Sequence, residues 1–133
     1  MVEQTLIILK PDSVKTNSVG EILRRFEEKG FVIKKLMMLT MDKNKAEQFY
    51  SVHSTKPFFS ELVSFITSGP VVAAMIEGSD AVNKVRAIIG ATRPNEAAPG
   101  TVRRDFGTSV TQNAIHASDS VESFIKESKI IFG

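Results

Sequence analysis

The sequence predicts an α+β fold of the split βαβ kind. It should be an antiparallel sheet covered by helices, with a helical hairpin inserted and a long loop before the last strand. Three observations predict it. Short apolar, β-branched-rich runs alternate with helix-period segments in the order β-α-β, helical hairpin, β-α, long loop, β-α. At 133 residues the chain suits one core, so a single domain over 1–133 is expected. A composition of 42% hydrophobic and 24% charged residues belongs to a chain that folds, not a disordered one.

Thr5-Leu6-Ile7-Ile8-Leu9 is short and apolar without alternation, as in a strand buried on both faces. Lys10-Pro11 ends it, because proline brings no N–H to the ladder. From Gly20 to Lys29, Ile22, Leu23 and Phe26 recur at helical spacing, Glu27 and Glu28 face out, and Gly30 supplies the stop. Phe31 to Met41 reads as a second strand, partly wet at Lys34-Lys35. Asp42 can cap a helix carrying Ala46, Phe49, Tyr50 and His53 on one face. Pro57 suits the first turn of the next helix, whose buried stripe is Phe59, Leu62, Val63 and Ile66. These two helices make the hairpin.

After the turn Ser68-Gly69-Pro70, Val71 to Ile76 is a third buried strand, and Val82, Val85 and Ile89 form the inner side of a further helix. Gly90 to Gln112 holds Pro94, Pro99, Gly100 and Gly107 with little apolar period, and is expected to be a long irregular loop, of a length usually functional or disordered. A short strand at Ala114-Ile115-His116 follows. Asp119-Ser120-Val121-Glu122 is a capping-box-like start to the last helix, which bears Val121, Phe124 and Ile125. Strand order does not follow from the sequence.

Several function classes are disfavoured by composition. The chain has no cysteine, which removes disulfide frameworks and thiolate metal sites. Its net charge is +2, too small to argue for duplex DNA by bulk electrostatics, although the pI is about 9.0. No apolar run is long enough to cross a bilayer, and Met1-Val2-Glu3-Gln4 carries no basic leader pattern, so a cytoplasmic protein is expected. No GxxxxGK[ST] segment occurs, so phosphates are not expected in a P-loop. A nucleic-acid module on the same architecture would stack bases on strand aromatics, and neither Thr5 to Leu9 nor Val71 to Ile76 contains one.

Only two histidines are present, and His116 lies shortly before a helix start, where free N–H groups and a partial positive charge favour an anion. Neutral imidazole is also a competent nucleophile at physiological pH. Position alone still favours a hydrogen-bonded structural histidine. The surrounding residues change that. Asn113-x-x-His116-x-Ser118-Asp119, continued by Ser120-Val121-Glu122, resembles the phosphohistidine signature of nucleoside diphosphate kinases. The similarity extends through Ile8-Leu9-Lys10-Pro11-Asp12, Phe49-Tyr50, Lys56-Pro57-Phe58-Phe59, Ser68-Gly69-Pro70-Val71-Val72, Gly90-Ala91-Thr92 and Pro99-Gly100-Thr101-Val102-Arg103. It therefore covers nearly the whole chain.

The resemblance implies the ferredoxin-like form of the split βαβ fold. It implies transfer of the γ-phosphoryl group of a nucleoside triphosphate, chiefly ATP, to a diphosphate by a ping-pong mechanism through His116. Glu127 occupies the position of a glutamate that steadies the histidine. Lys10, Arg86, Thr92 and Arg103 match phosphate- and sugar-contacting positions, and Asn113 matches a ribose contact. Phe58 matches the base-stacking aromatic, with Val110 opposite and Leu62 beside it, while Tyr50 and His53 line the cleft. Stacking without hydrogen-bonded readout implies broad base specificity. Mg²⁺ is expected to arrive on the nucleotide phosphates and not in a protein-held metal site. Self-association is implied, a hexamer favoured over a tetramer. A nucleotide sensor that had lost activity would be expected to lack the histidine.

The chain departs from the family pattern at Arg93, Asn95, Arg104 and Ala117. The first three lie in the long loop and bear on assembly more than on catalysis.

Overall fold

The computed structural model describes residues 2–133. Strands β1 (Val2–Leu9), β2 (Val32–Leu39), β3 (Val71–Ser79) and β4 (Ile115–Ala117) form one antiparallel sheet in the order β2-β3-β1-β4. This is the order of a ferredoxin-like split βαβ sheet. The central strands β1 and β3 are covered on both sides. Along β1, Ile7 and Leu9 point to one face while Leu6 and Ile8 point to the other, and all four are fully buried. That is why the run shows no polar alternation.

Helices α2 (Val19–Glu28) and α5 (Ala81–Ile89) cover the first face, packing Ile22, Phe26, Val85 and Ile89 against Ile7, Leu9 and Ile115. Helices α3 (Lys43–Phe49), α4 (Phe59–Ile66) and α7 (Val121–Phe132) cover the second, with Ala46, Phe49, Val63, Ile66 and Ile131 against Leu6 and Ile8. The Asp42 carboxylate caps α3 by accepting from Lys45 N–H, and the Ser120 hydroxyl caps α7 by accepting from Ser123 N–H. α5 ends on Gly90 at φ +89°, where a Cβ would stand 2.6 Å from Thr101 Oγ1, so only glycine fits. Among the described residues no helix is long and apolar enough to cross a membrane.

The structure corrects the sequence reading at four places. Pro11 ends β1 as expected, but it also opens a short helix, α1 (Pro11–Lys15). The 90–112 segment is not wholly irregular: it holds a 3₁₀ turn at Pro94–Glu96 and helix α6 (Val102–Phe106), capped by Thr101. A five-residue helix is too short to print a periodic stripe. α3 stops at Phe49, so His53 sits in a separate 3₁₀ turn, and Pro57 precedes α4 rather than opening it.

The inner face of α7 does not follow its apolar residues alone. Val121 and Ile125 are exposed, and the inner stripe runs through Phe124, Glu127, Ser128 and Ile131. Two of its positions are polar, which a hydrophobic pattern cannot read. One of them is Glu127.

Candidate active site

Alternation along β4 sets the orientation of His116. Ile115 and Ala117 pack into the first face, so the residue between them points to the second, towards α3 and α7. There His116 Nε2 lies 2.9 Å from Glu127 Oε1, and Ser118 Oγ donates to the same oxygen at 2.7 Å. The edge-on ring of Phe49 closes the other side at 4.9 Å between centroids. An ionised carboxylate only accepts, so Nε2 carries the proton and Nδ1 is left with no protein partner among the described residues.

The backbone before the histidine is strained and clamped. Ala114 is fully buried at φ +78°, a left-handed value that costs a residue with a side chain about 1–2 kcal/mol. Ile115 N–H donates across it to Asn113 C=O at 3.0 Å, a γ-turn of the rarer hand. Three bonds from the end of β1 and the start of α1 hold it. Asp12 Oδ2 accepts from Ala114 N–H at 3.0 Å, Ser13 Oγ donates to Ala114 C=O at 2.7 Å, and Lys10 N–H donates to the same carbonyl at 2.9 Å. The turn thereby fixes Asn113 on one side and His116 on the other.

Both residues open on a cleft of about 900 Å³. Lys10 Nζ donates to Asn113 Oδ1 at 2.8 Å, and Asn113 Nδ2 donates to Thr92 C=O at 2.9 Å. Burial lowers the Lys10 ammonium to about 8, with Arg103 adding to the shift and Asp12 opposing it. The Arg103 guanidinium donates to Ile115 C=O at 3.0 Å and Gly90 C=O at 3.3 Å; burial, then Arg86, lowers it to about 10, so it stays charged at neutral pH. Arg86 Nη1 donates to Ala117 C=O at 3.0 Å. None of these three cations pairs with a carboxylate among the described residues. Positive charge anchored on neutral carbonyls and left uncompensated is a site for an anion.

At the same end, Ser123 Oγ donates to Asp119 Oδ1 at 2.6 Å and holds that carboxyl below its usual range. The far end is apolar and open, with Phe58 and Leu62 from α4 facing the cleft and Val110 contributed by the loop before β4. The His53 ring lies 5.5 Å from that of Phe58 and 6.5 Å from Tyr50. Tyr50 is buried, and burial and the charge of Glu127 raise its hydroxyl.

Every site residue expected from the sequence lies on this cleft: His116, Glu127, Lys10, Arg86, Thr92, Arg103 and Asn113 towards one end, His53, Phe58, Leu62 and Val110 towards the other, and Tyr50 between them, near enough to Glu127 and Arg103 to feel their charge. Arg93, noted only as a departure, lines it too. The sequence reading missed Glu61 and Thr111, which bond to each other across the cleft, and the Asp12–Ser13 clamp. Asp12 carried one signal, its place in Lys10-Pro11-Asp12; Glu61 carried none.

Residues 3–133 match the family model for nucleoside diphosphate kinase. The chain is 52% identical over 130 residues to the nucleoside diphosphate kinase of Staphylothermus marinus, covering 98% of this chain and 92% of that one. The crystal structure of the Aquifex aeolicus nucleoside diphosphate kinase superposes with a TM-score of 0.98 at 52% identity, covering 100% of this chain and 96% of that one. A halophilic nucleoside diphosphate kinase from Halobacterium salinarum, in complex with CDP, gives 0.95 at 41% identity over 99% of this chain and 88% of that one. A histidine with one ring nitrogen free, three unpaired cations around it, and likeness running the length of both chains have one reading: this chain belongs to the nucleoside diphosphate kinase family, enzymes that transfer a phosphoryl group from nucleoside triphosphates to nucleoside diphosphates.

Proposed function

We propose that the transfer runs by a ping-pong mechanism through a phosphohistidine on Nδ1 of His116, with ATP as the chief donor and broad tolerance of base and sugar. The observation that carries this is the 2.9 Å bond between His116 Nε2 and Glu127. It commits one nitrogen as donor and leaves the other's lone pair for attack. Nδ1 attacks the γ-phosphorus, the bond to the bridging oxygen breaks, and the nucleoside diphosphate leaves with that oxygen's electrons. The imidazolium that forms keeps its proton on Nε2, against the Glu127 carboxylate. A terminal oxygen of the second diphosphate then attacks the phosphorus and the P–N bond breaks.

Phosphoryl transfer depends on positioning and on neutralising charge spread over the equatorial oxygens. Lys10, Arg86 and Arg103 supply that charge, with Thr92 and Asn113 contacting phosphate and sugar. Phe58 and Val110 hold the base between them, next to Leu62, while Tyr50 and His53 line the cleft. Mg²⁺ carried on the nucleotide phosphates would supply shielding of their charge. Its fit to the cleft rests on Asp119, held ionised towards the phosphate end. Glu127 and Glu61 are already committed to Ser118 and Thr111. Among the described residues no cluster of three His, Cys, Asp or Glu could cage the ion alone.

We also propose self-association, as a hexamer, in the cytoplasm where nucleotide pools lie. β2 is a sheet edge with Val32, Leu36 and Met38 exposed on it, and such an edge favours burial against another copy. A monomeric mass in sedimentation equilibrium would overturn this.

The test of the mechanism is incubation with γ-labelled ATP and Mg²⁺. The expected product is an acid-labile, base-stable phosphoprotein that discharges on adding GDP. Label taken up and transferred by His116→Ala would remove His116 as the nucleophile. Nucleotide bound by the wild type without labelling would make the protein a sensor.

A further inference from the structure

One hydrogen bond closes the base end of the cleft. Thr111 Oγ1 donates to Glu61 Oε1 at 2.9 Å, joining α4 to the loop before β4 across 50 residues of sequence. Both partners stand beside the apolar walls. Glu61 is one helical turn on from Phe58 and so shares its side of α4, while Thr111 directly follows Val110. The loop has a tight form of its own, because Thr108 N–H and Ser109 N–H both donate to Gln112 C=O, which presents Val110 at its tip. Among the described residues no other hydrogen bond ties this loop to α4. The Thr111 carbonyl, 3.5 Å from Lys10 Nζ, is a backbone group that a change of either side chain leaves in place.

We propose that Glu61 is a positioning residue of the base slot: accepting the Thr111 hydroxyl, it fixes the separation of the Phe58 and Val110 walls before a nucleotide arrives. This rests on the reading of Phe58 and Val110 as the pair that holds the base. A bond from a hydroxyl to a carboxylate is charge-assisted and stronger than a neutral one, so a single bond suffices at an exposed edge. Without it the loop tip and α4 move independently, and each nucleotide must order them on binding. The cost falls on binding and is common to all bases, because the bond touches the walls and not the reacting atoms. It therefore appears in KM and leaves kcat alone.

The experiment is steady-state kinetics with ADP, GDP, CDP and UDP as acceptors, with melting curves to check that each variant is folded. Thr111→Val and Glu61→Ala should each raise KM for all four acceptors by about tenfold, the scale of one charge-assisted hydrogen bond. The same two variants should keep kcat at saturation. Thr111→Ser, which preserves the hydroxyl, should stay close to wild type, and Glu61→Gln, which preserves an acceptor without the charge, should fall between wild type and Glu61→Ala. Phe58→Ala should raise KM on its own, and adding Thr111→Val to it should then cost less than it does alone, since both act through one slot.

If Phe58→Ala raises KM while Thr111→Val and Glu61→Ala do not, the role of Glu61 is wrong and the slot stands. A fall in kcat at unchanged KM would also overturn it, by placing the bond's effect at the phosphate end. If Phe58→Ala leaves KM unchanged, the slot reading falls and this proposal with it.

Discussion

The two ends of the cleft are built on opposite terms. At the end proposed to take the phosphates, Lys10 and Arg103 are each 5% exposed and Asn113 is 2% exposed, every one hydrogen-bonded to backbone or to a neighbour. At the end proposed to hold the base, Phe58 is 43% and Val110 44% exposed, and one hydrogen bond spans the gap. Charge that must stabilise a transition state acts most strongly where water is excluded and the dipoles are already fixed. On the proposed reading the slot admits any base, which a π-face and an aliphatic wall allow, whereas fixed donors there would select one base. Rigidity is thus concentrated where atoms react and withheld where tolerance is required.

Lys10→Met should break the comparison hardest. Turnover should fall by about 10²–10³-fold, the loss seen when one preorganised transition-state donor is removed. Stability should hold or rise, because the variant no longer buries a charge. The two readouts, kcat and melting temperature, should therefore part. The wild type should show the same divergence with pH. Lys10 is lowered from 10.5 to about 8, so kcat/KM should decline as pH rises through about 8 and the ammonium discharges. Between about 8 and 10.5 the unfolded chain binds that proton more tightly than the folded one, so this group's contribution to stability rises with pH there. Bound phosphates favour the charged form and should move the limb in kcat to higher pH. Identical pH limbs in Lys10→Met and wild type would assign the titration to another group.

Glu127→Gln should come next. Glutamine can still accept from Nε2–H, but its neutral oxygen does not offset the imidazolium, so phosphohistidine formation should slow by about 10- to 100-fold. Rapid-quench labelling checks it, and an unchanged rate would reduce Glu127 to a packing residue. Asp12→Ala sharpens the same end more gently. It removes the acceptor that holds Ala114 at φ +78°, and kcat should fall about tenfold, one hydrogen bond's worth. Ala114→Gly in that background should restore most of the loss, since glycine takes positive φ as readily as negative. A double variant as slow as Asp12→Ala would show that strain at Ala114 is not what Asp12 controls.

The sequence reading recovered what is local and lost what topology makes. β1 and β3 were legible because strands buried on both faces read as unbroken apolar runs, and His116 because its neighbours form a recognisable motif. α6 was not, since five residues show no period. The inner face of α7 was not legible, because Glu127 and Ser128 occupy two places on it. At Ala114 nothing local announces a left-handed backbone, as a glycine or asparagine would; its three partners come from Lys10, Asp12 and Ser13, about a hundred residues away. The Glu61–Thr111 bond is hidden for the same reason.

Val110→Ala is the smallest expected effect and the finest probe of the difference between the two ends. The side chain is nearly half exposed already, so truncation removes one partly buried wall and leaves no buried polar group unpaired. KM should rise by about two- to fourfold, the scale of one methylene or a little less at about 0.8 kcal/mol. Because the lost contact is apolar and faces any ring, the rise should be equal for ADP, GDP, CDP and UDP, with kcat unmoved. Unequal rises would mean that the open end reads the base after all, and that the tolerance argued for it comes from somewhere other than the slot.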